Sequence, residues 1–416
     1  MRIVFSYREL EKPFVENDWS AVQLTFAPDV EAFRAEFVAF LDANLPDSST
    51  AVERPRSTAH LPDWLRNWQR LLFDNGWLLP GQPPEFGGRN ATILQQYVYQ
   101  VELSRRRMYQ SFNPQGVGII AASLISFGTE EQQRRWAVPI LRAEMTAALG
   151  MSEPGAGSDL ASLRTRAKRS SDSRGDHYVV NGQKVWTSGA HDADVILTFV
   201  RTDPQAPKHR GISVLMIPTD LPGVVRRPFA SVCDRDDVDF NEVFFNDVEV
   251  PAENLVGPEN DGWRVANGSL GHERNMLWLS YADRLQDLVD DFVPRTALDR
   301  DRYATMAMDM TALRLLGSVA LARAARGQED AAALSVLKLF GSETGQLATE
   351  QALASVGPDG LAHPVNIGPW APLNLEAHSC GWFERYLRSF AGTIAGGTSE
   401  IQRNIIAQRL LGLPRN

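Results

Sequence analysis

The spacing of apolar residues changes twice along the chain, and each change limits what can fold around it. From Pro28 onward, Val30, Phe33, Phe37, Phe40 and Leu41 recur at three- and four-residue steps, the repeat of a helix with one face inward. The same spacing runs through Leu65–Leu72 and Ile93–Leu103 and lasts to about Ala147, with breakers at Pro80, Gly81, Pro83 and Pro84. After Gly150 it gives way to β-branched and aromatic runs at Val195–Arg201, Gly211–Pro218 and Val243–Val250, separated by Pro, Asp and Asn. His177–Val180 and Lys184–Thr187 flank Asn181-Gly182, a pair suited to a two-residue hairpin turn because both turn positions need positive φ. From Gly262 the pattern is helical again, through Leu313–Ala325, Ala331–Leu347 and Ser399–Leu411. Thr398 is the expected N-cap of the last helix and Gly412 its stop. A chain of 416 residues exceeds one ordinary core, so helical, β and helical units in that order are expected.

Composition narrows the classes. With 44% apolar and 22% charged residues the chain reads as soluble and globular. No uninterrupted apolar run approaches the roughly 20 residues that span a bilayer. The N-terminal stretch carries acidic residues and lacks an apolar segment with a cleavage site, so no signal peptide is expected. Cys233 and Cys380 are the only cysteines, which excludes a disulfide framework or a cysteine-rich metal site and suits a cytoplasmic location. A net charge of −9 argues against a general nucleic-acid surface, and Arg105, Arg106 and Arg107 read as a solvated helix face.

Three runs carry the chemistry. GMSEPGAGSD, residues 150–159, has three glycines at the mouth of the β unit, which suits close backbone approach to an anion or a ring edge. By composition it reads equally as a tight surface loop. NGQKVWTS, residues 181–188, sets Trp186 and two hydroxyls just past the expected hairpin. The commoner fate of such a tryptophan is a half-buried strand position. GGTSEIQR, residues 396–403, opens the last helix, whose free N–H groups favour a phosphate or carbonyl oxygen; the plainer alternative is a flexible loop capped by Thr398.

In this order the three runs resemble the acyl-CoA dehydrogenase family, over about Pro28 to Arg415. Phe244–Leu255 is also similar to the family's closing β strands. The resemblance implies an α+β multidomain fold: an N-terminal helical bundle, a middle antiparallel β domain and a C-terminal four-helix bundle. The expected bounds are 1–26 for an N-terminal extension, either an arm or a frayed end, then 27–147, 148–255 and 256–416. It also implies bound FAD, an acyl-CoA substrate and an electron-transfer flavoprotein or similar acceptor. By motif position, Ser152 would touch the flavin ring and Ser158 the cofactor or the coenzyme A arm. Trp186 would lie against the isoalloxazine, Ser188 near its reactive edge, and Thr398 and Glu400 would reach the cofactor from the last helix.

In the family's reaction a base removes the α-proton while a β-hydride passes to the flavin, and hydrogen bonds to the thioester oxygen stabilise the developing enolate. One donor is a backbone N–H, at Gly396 here. Many members carry the glutamate base at that same position, which this chain lacks. The family's other location for the base is a Glu-Arg pair on a helix after the β domain, and Gly271-His-Glu-Arg274 supplies it. Glu273 is therefore the expected base, its pKa raised by burial, with Arg274 supporting the coenzyme A arm and His272 structural. Outside the resemblance, a Glu-Arg pair on a helix is worth little.

The chain departs from the family at the subunit contact. An Arg-x-x-Phe-Gly motif that grips a neighbour's FAD is missing from Asp290–Arg300, where Arg295 is a candidate substitute. A Gln-x-x-Gly-Gly-x-Gly motif is reduced to Ala354–Gly360. Such losses resemble a bacterial branch acting on sterol side-chain or other bulky thioesters, where unlike subunits share FAD sites. A homo- or hetero-oligomer is expected. Gly116, Gly118, Ala121 and Ala122 would leave room for a bulky acyl group or serve helix packing. Two other functions fit this fold: a partner subunit completing another chain's FAD site, and a flavin monooxygenase or oxidase.

Overall fold

The computed structural model describes residues 26–46, 53, 55–173, 175–232, 238–328, 331–361 and 381–414, with backbone alone at 267, 269–277 and 331. The expected N-terminal extension up to residue 25, the interval His363–Pro372, whose prolines and glycine read as a loop, and both cysteines lie outside the described residues.

The N-terminal unit begins with α1 (Pro28–Asn44), α2 (Asp63–Asp74) and α3 (Ile93–Arg105). Val30, Phe33, Phe37 and Leu41 form the inward stripe of α1, as their spacing predicts, and the ring of Phe37 packs between Trp77 and Tyr99. Thr92 starts α3 with a capping box, accepting from the Gln95 amide while Gln95 returns the bond. A π-helical turn at Gly116–Ala121 leads into α4 (Ala122–Phe127), and α5 (Glu130–Gln132) and α6 (Val138–Leu141) are joined by a second, Gln133–Ala137.

Seven strands follow: β1 (Ala147–Gly150), β2 (Arg166–Asp172), β3 (Gly175–Lys184), β4 (Val195–Arg201), β5 (Ile212–Pro218), β6 (Val224–Phe229) and β7 (Phe240–Pro251). The order is β1-β4-β2-β3-β7-β6, with β5 also on β4. Pairing is antiparallel except for β1 on β4 and a single parallel contact between Arg166 and Arg201. One face of β4 and β5, with Leu197, Phe199, Val214 and Met216, joins the N-terminal helical core. The other face, with Ile196, Val200, Leu215 and Ile217, forms a second core with Tyr178, Val180 and Phe245. Burial on both faces explains why β4 carries apolar side chains at both parities, with Thr198 the one polar residue before Arg201.

The hairpin expected at Asn181-Gly182 does not form. Both residues lie inside β3, at a bulge where the register against β7 shifts between Val180 and Gly182. The Asn181 amide donates to Asp247 Oδ1 at 2.9 Å and its Oδ1 accepts from the Asp247 N–H at 3.0 Å, which holds the extra β7 residue. Gly182 is required there, since a Cβ would come within 2.6 Å of the Thr165 Cα and Oγ1. The chain reverses earlier, where Asp172 pairs with Gly175.

The C-terminal unit is α7 (Gly262–Asp291), α8 (Ala297–Ala324), α9 (Ala331–Val356) and α10 (Trp382–Ile394), followed by α11 (Ser399–Ile405), which runs on as a π-helical turn to Leu410. Trp278, Leu285, Leu313, Leu337 and Ala352 form its core. Ser104 donates to Asp283 at 2.6 Å and Tyr97 stacks on Trp278, so α3 and α7 join the first unit to the last. Taken by length and composition, α8 could cross a membrane, a property that a search for uninterrupted apolar runs passes over. Here it packs against α7 and α9, and Met308, Leu315, Leu316 and Val319 remain exposed along it.

Candidate active site

Two groups of side chains contain the residues singled out from sequence. The first begins where β1 ends. Glu153 and Ala156 exchange both main-chain hydrogen bonds at 3.0 Å, closing a turn with Pro154 and Gly155 at its exposed tip. Glu153 points inward, only 9% exposed, and accepts from the Arg164 amide at 2.6 Å, the Thr165 amide at 2.8 Å and Lys184 Nζ at 2.9 Å. Burial alone would raise its pKa, but the Lys184 charge and these hydrogen bonds hold it below the usual carboxylate value. Complete burial pushes Lys184 down to about 8, against the opposing pull of Glu153. The loop is thus anchored from behind and open in front: a Cβ on Gly155 or Gly157 would meet no atom within 4 Å, and Ser158 is exposed.

Lys184 also donates to the Met151 carbonyl at 3.2 Å, and the Val185 amide donates to that of Ser152 at 3.0 Å. These bonds bring Ser152 alongside Trp186. Trp186 takes φ +61° and is 59% exposed, its ring edge-on to Phe229 and Phe240 at 5.2 and 5.3 Å. A left-handed, exposed tryptophan is a strained arrangement that its surroundings must impose. The Thr187 N–H on the Asn241 carbonyl and the Gly189 N–H on that of Asp239 fix the segment just beyond, with Ser188 half-buried between them. The Thr187 Oγ1 is buried with no hydrogen-bond partner among the described residues.

The second group lies at the start of α11. Gly396 and Gly397 take φ +66° and +94° and turn the chain from α10 into α11. Thr398 caps the helix, its Oγ1 accepting from the Ile401 amide at 3.3 Å. Glu400 is exposed and pairs with Arg403, which also reaches Glu343 on α9. Lys338 of α9 donates to the Gly397 carbonyl at 2.8 Å, and Gln402 Nε2 lies 3.1 Å from the Gly396 carbonyl. A small cavity of about 20 Å³, enough for one water, is lined by Trp278, Lys338, Gly396 and Gln402 among others. The indole N–H of Trp278 is buried without a partner among the described residues.

Glu273 and Arg274 lie on α7, with side chains outside the described residues. Trp278 is five residues further along the same helix, an axial step of about 7.5 Å, so this part of α7 runs beside the Gly396 turn. Gly396 itself has space: a Cβ there would meet no atom within 4 Å. Arg295, between α7 and α8, is exposed and forms no ion pair among the described residues. The four small residues of the first unit divide. A Cβ on Gly116 would sit 1.9 Å from Asn113 Oδ1, and Ala121 and Ala122 are buried, so these three serve packing; Gly118 alone has nothing within 4 Å.

Sequence reasoning missed the supports, namely Glu153, Lys184, Lys338 and Gln402. For Lys184 a signal existed. Tyr178 and Val180 face inward on β3, and Lys184 has the same parity.

Three family models match the chain: the acyl-CoA dehydrogenase N-terminal domain over residues 27–144, the middle domain over 148–248 and the C-terminal domain over 260–411. Acyl-CoA dehydrogenase IpdE1 of Mycobacterium tuberculosis is 36% identical over 397 residues, covering 93% of this chain and 98% of the relative. The chain belongs to the acyl-CoA dehydrogenase family. Acyl-CoA dehydrogenase FadE29 of the same organism is 35% identical, covering 94% and 99% of the two chains. Among solved structures, the Tcur3481-Tcur3483 steroid ACAD superposes with a TM-score of 0.76 at 29% identity, covering 94% of this chain and 99% of that one. The ChsE4-ChsE5 complex from Mycobacterium tuberculosis superposes with a TM-score of 0.71 at 26% identity, covering 95% and 100%. As a member of a flavoprotein family, the chain is an oxidoreductase acting on acyl-CoA.

Proposed function

We propose that the chain binds FAD and desaturates the Cα–Cβ bond of a bulky, sterol-derived acyl-CoA thioester, with Glu273 as base. The observation that carries this reading is the open, carboxylate-free turn at Gly396 beside α7, the helix that bears Glu273. The chain's residues fit the cofactor: an exposed aromatic ring at Trp186, uncrowded glycines at 155 and 157, and a capped helix start at Thr398 where Ser399 Oγ is buried with no partner among the described residues. Ser152, Trp186, Ser188, Thr398 and Glu400 would hold it. When bound, FAD supplies the acceptor for the hydride leaving Cβ.

The protein's own part is positional and electrostatic. The Gly396 amide donates to the thioester oxygen, lowering the cost of the negative charge that gathers there as the α-proton leaves. Glu273 takes that proton, while Ser158 and Arg274 steady the coenzyme A arm. The steroid named for a similar structure and the open space at Gly118 support a bulky acyl group. Assembly is part of the same reading. The exposed α8 stripe and the unpaired Arg295 favour a partner chain that completes each FAD site, and the two-component names of similar structures favour an unlike one. An electron-transfer flavoprotein or similar carrier would then reoxidise the enzyme.

The test is product analysis after FAD loading, alone and with a co-expressed homologue. A sterol side-chain acyl-CoA should be converted to an enoyl-CoA lighter by two hydrogens. A product carrying added oxygen would replace this reading with a monooxygenase. Failure of the loaded chain to turn over any acyl-CoA, with or without a homologue, would refute it.

A further inference from the structure

Among the described residues, Lys338 is a buried lysine without a carboxylate partner. It is 5% exposed, forms no ion pair among the described residues, and burial lowers its pKa. Glu343, the acid that influences it from the same helix, is engaged by Arg403 at 2.6 Å. Keeping an ammonium in such a place is costly unless it does something a neutral side chain cannot. Its hydrogen bond is to the Gly397 carbonyl, at 2.8 Å. Gln402 reaches the same carbonyl at 3.3 Å and that of Gly396 at 3.1 Å. Both carbonyls of the turn are therefore held from α9 and α11, which fixes the peptide planes on either side of Gly397, one Cα removed from the plane that carries the Gly396 N–H.

Glycine makes such tethers necessary. Gly396 and Gly397 both take left-handed φ values, and nothing within 4 Å crowds the Cβ position of Gly396. An untethered Gly-Gly pair has many conformations of similar energy. The cavity behind the turn is lined by Lys338, Gln402, Trp278 and Gly396 and has room for about one water, so packing alone does not lock it.

We propose that Lys338, seconded by Gln402, is the positioning residue that holds the Gly396–Gly397 turn in the conformation from which its amide meets the thioester oxygen. The inference rests on the reading of Gly396 as that donor. It assigns Lys338 no contact with substrate. Its effect is to keep a donor aimed at charge that develops only as the reaction proceeds, so loss should fall on the chemical step more than on binding.

The test uses the FAD-loaded enzyme in its native assembly, as wild type, Lys338→Met and Gln402→Met. Methionine keeps the length of lysine and removes the charge, and the glutamine variant guards against misfolding of the first. Two quantities are followed: the anaerobic rate of flavin reduction by an accepted acyl-CoA, and the infrared carbonyl stretch of a carbonyl-labelled enoyl-CoA bound to each protein. The expected result is a rate about ten- to a hundredfold lower in Lys338→Met. Substrate affinity should change less than about threefold, and the thioester carbonyl should lose much of the red shift it shows on the wild type. Gln402→Met should move both readouts in the same direction. An unchanged shift and rate in both variants, with the shift present in wild type, would overturn the positioning role and leave the Gly396 donor standing. A wild-type enzyme that leaves the carbonyl stretch at its solution value would overturn the donor, and the positioning role with it.

Discussion

Lys184 Nζ lies 2.9 Å from Glu153 Oε1 in a buried pair that joins the Gly150–Asp159 loop to the end of β3. The two sequence runs expected to face the flavin are thus one structural unit. Ser152 and Trp186 keep their relative position because the ion pair between their neighbours does.

Removing one partner leaves a charge buried and unpaired, so Lys184→Met should destabilise the protein by about 3–5 kcal/mol. Chemical denaturation measures the loss, and Lys184→Met with Glu153→Gln should recover part of it. The pH dependence follows from the lowered Glu153 pKa. Its stabilisation is present above about pH 4.5, the unfolded value, and is lost as pH falls through the lower folded value. Glu153→Gln should flatten stability across that acid window; an unaltered profile would assign acid unfolding to other carboxylates.

Trp186 holds a strained, exposed conformation against Phe229 and Phe240. With a flavin ring as its occupant, Trp186→Ala should weaken FAD binding about two- to tenfold, the worth of one aromatic contact. The fold should remain unchanged, because this side chain contributes little to a core. Cofactor titration of the apoprotein reads the effect, and equal affinity would separate Trp186 from the flavin.

Among the described glycines of the first unit, Gly118 is the one with nothing within 4 Å of its Cβ position. Gly118→Leu should lower kcat/KM for a sterol-derived acyl-CoA by about tenfold or more while sparing a short-chain thioester, since a pocket discriminates size by about 1–3 kcal/mol. Equal losses on both substrates would place Gly118 away from the acyl group.

Much of this was legible from the residues, and the exceptions have physical causes. The Phe33 and Phe37 stripe, the Thr398 cap and the β4 run follow from periodicity and local hydrogen bonding, which a sequence states directly. Asn181-Gly182 misled because a bulge draws on the same residues as a turn, an Asn that bonds nearby backbone and a Gly where no Cβ fits. Lys338 gave no signal, since the carbonyl it holds is supplied by a segment 59 residues away that only the bundle brings near. Gln402 sits within six residues of the carbonyls it reaches, but a polar residue in a helix's first turns gives no sign of folding back on the turn before it.

Met308, Leu315, Leu316 and Val319 form an exposed apolar stripe on α8. In the proposed assembly this stripe is where the partner chain docks. Leu315→Glu with Val319→Glu should reduce the assembly mass and weaken FAD retention together, measured by light scattering and flavin absorbance. A wild-type chain that is monomeric and retains FAD would end the shared-site account.

Anaerobic flavin reduction in Glu273→Gln decides whether Glu273 removes the α-proton of a thioester held by the Gly396 amide. Glutamine keeps the size of the side chain and cannot accept the proton. The variant should load FAD and assemble as the wild type does, yet reduce its flavin about 10²–10⁴-fold more slowly with an accepted acyl-CoA. A Glu273→Gln enzyme that bleaches at nearly the wild-type rate would contradict the account.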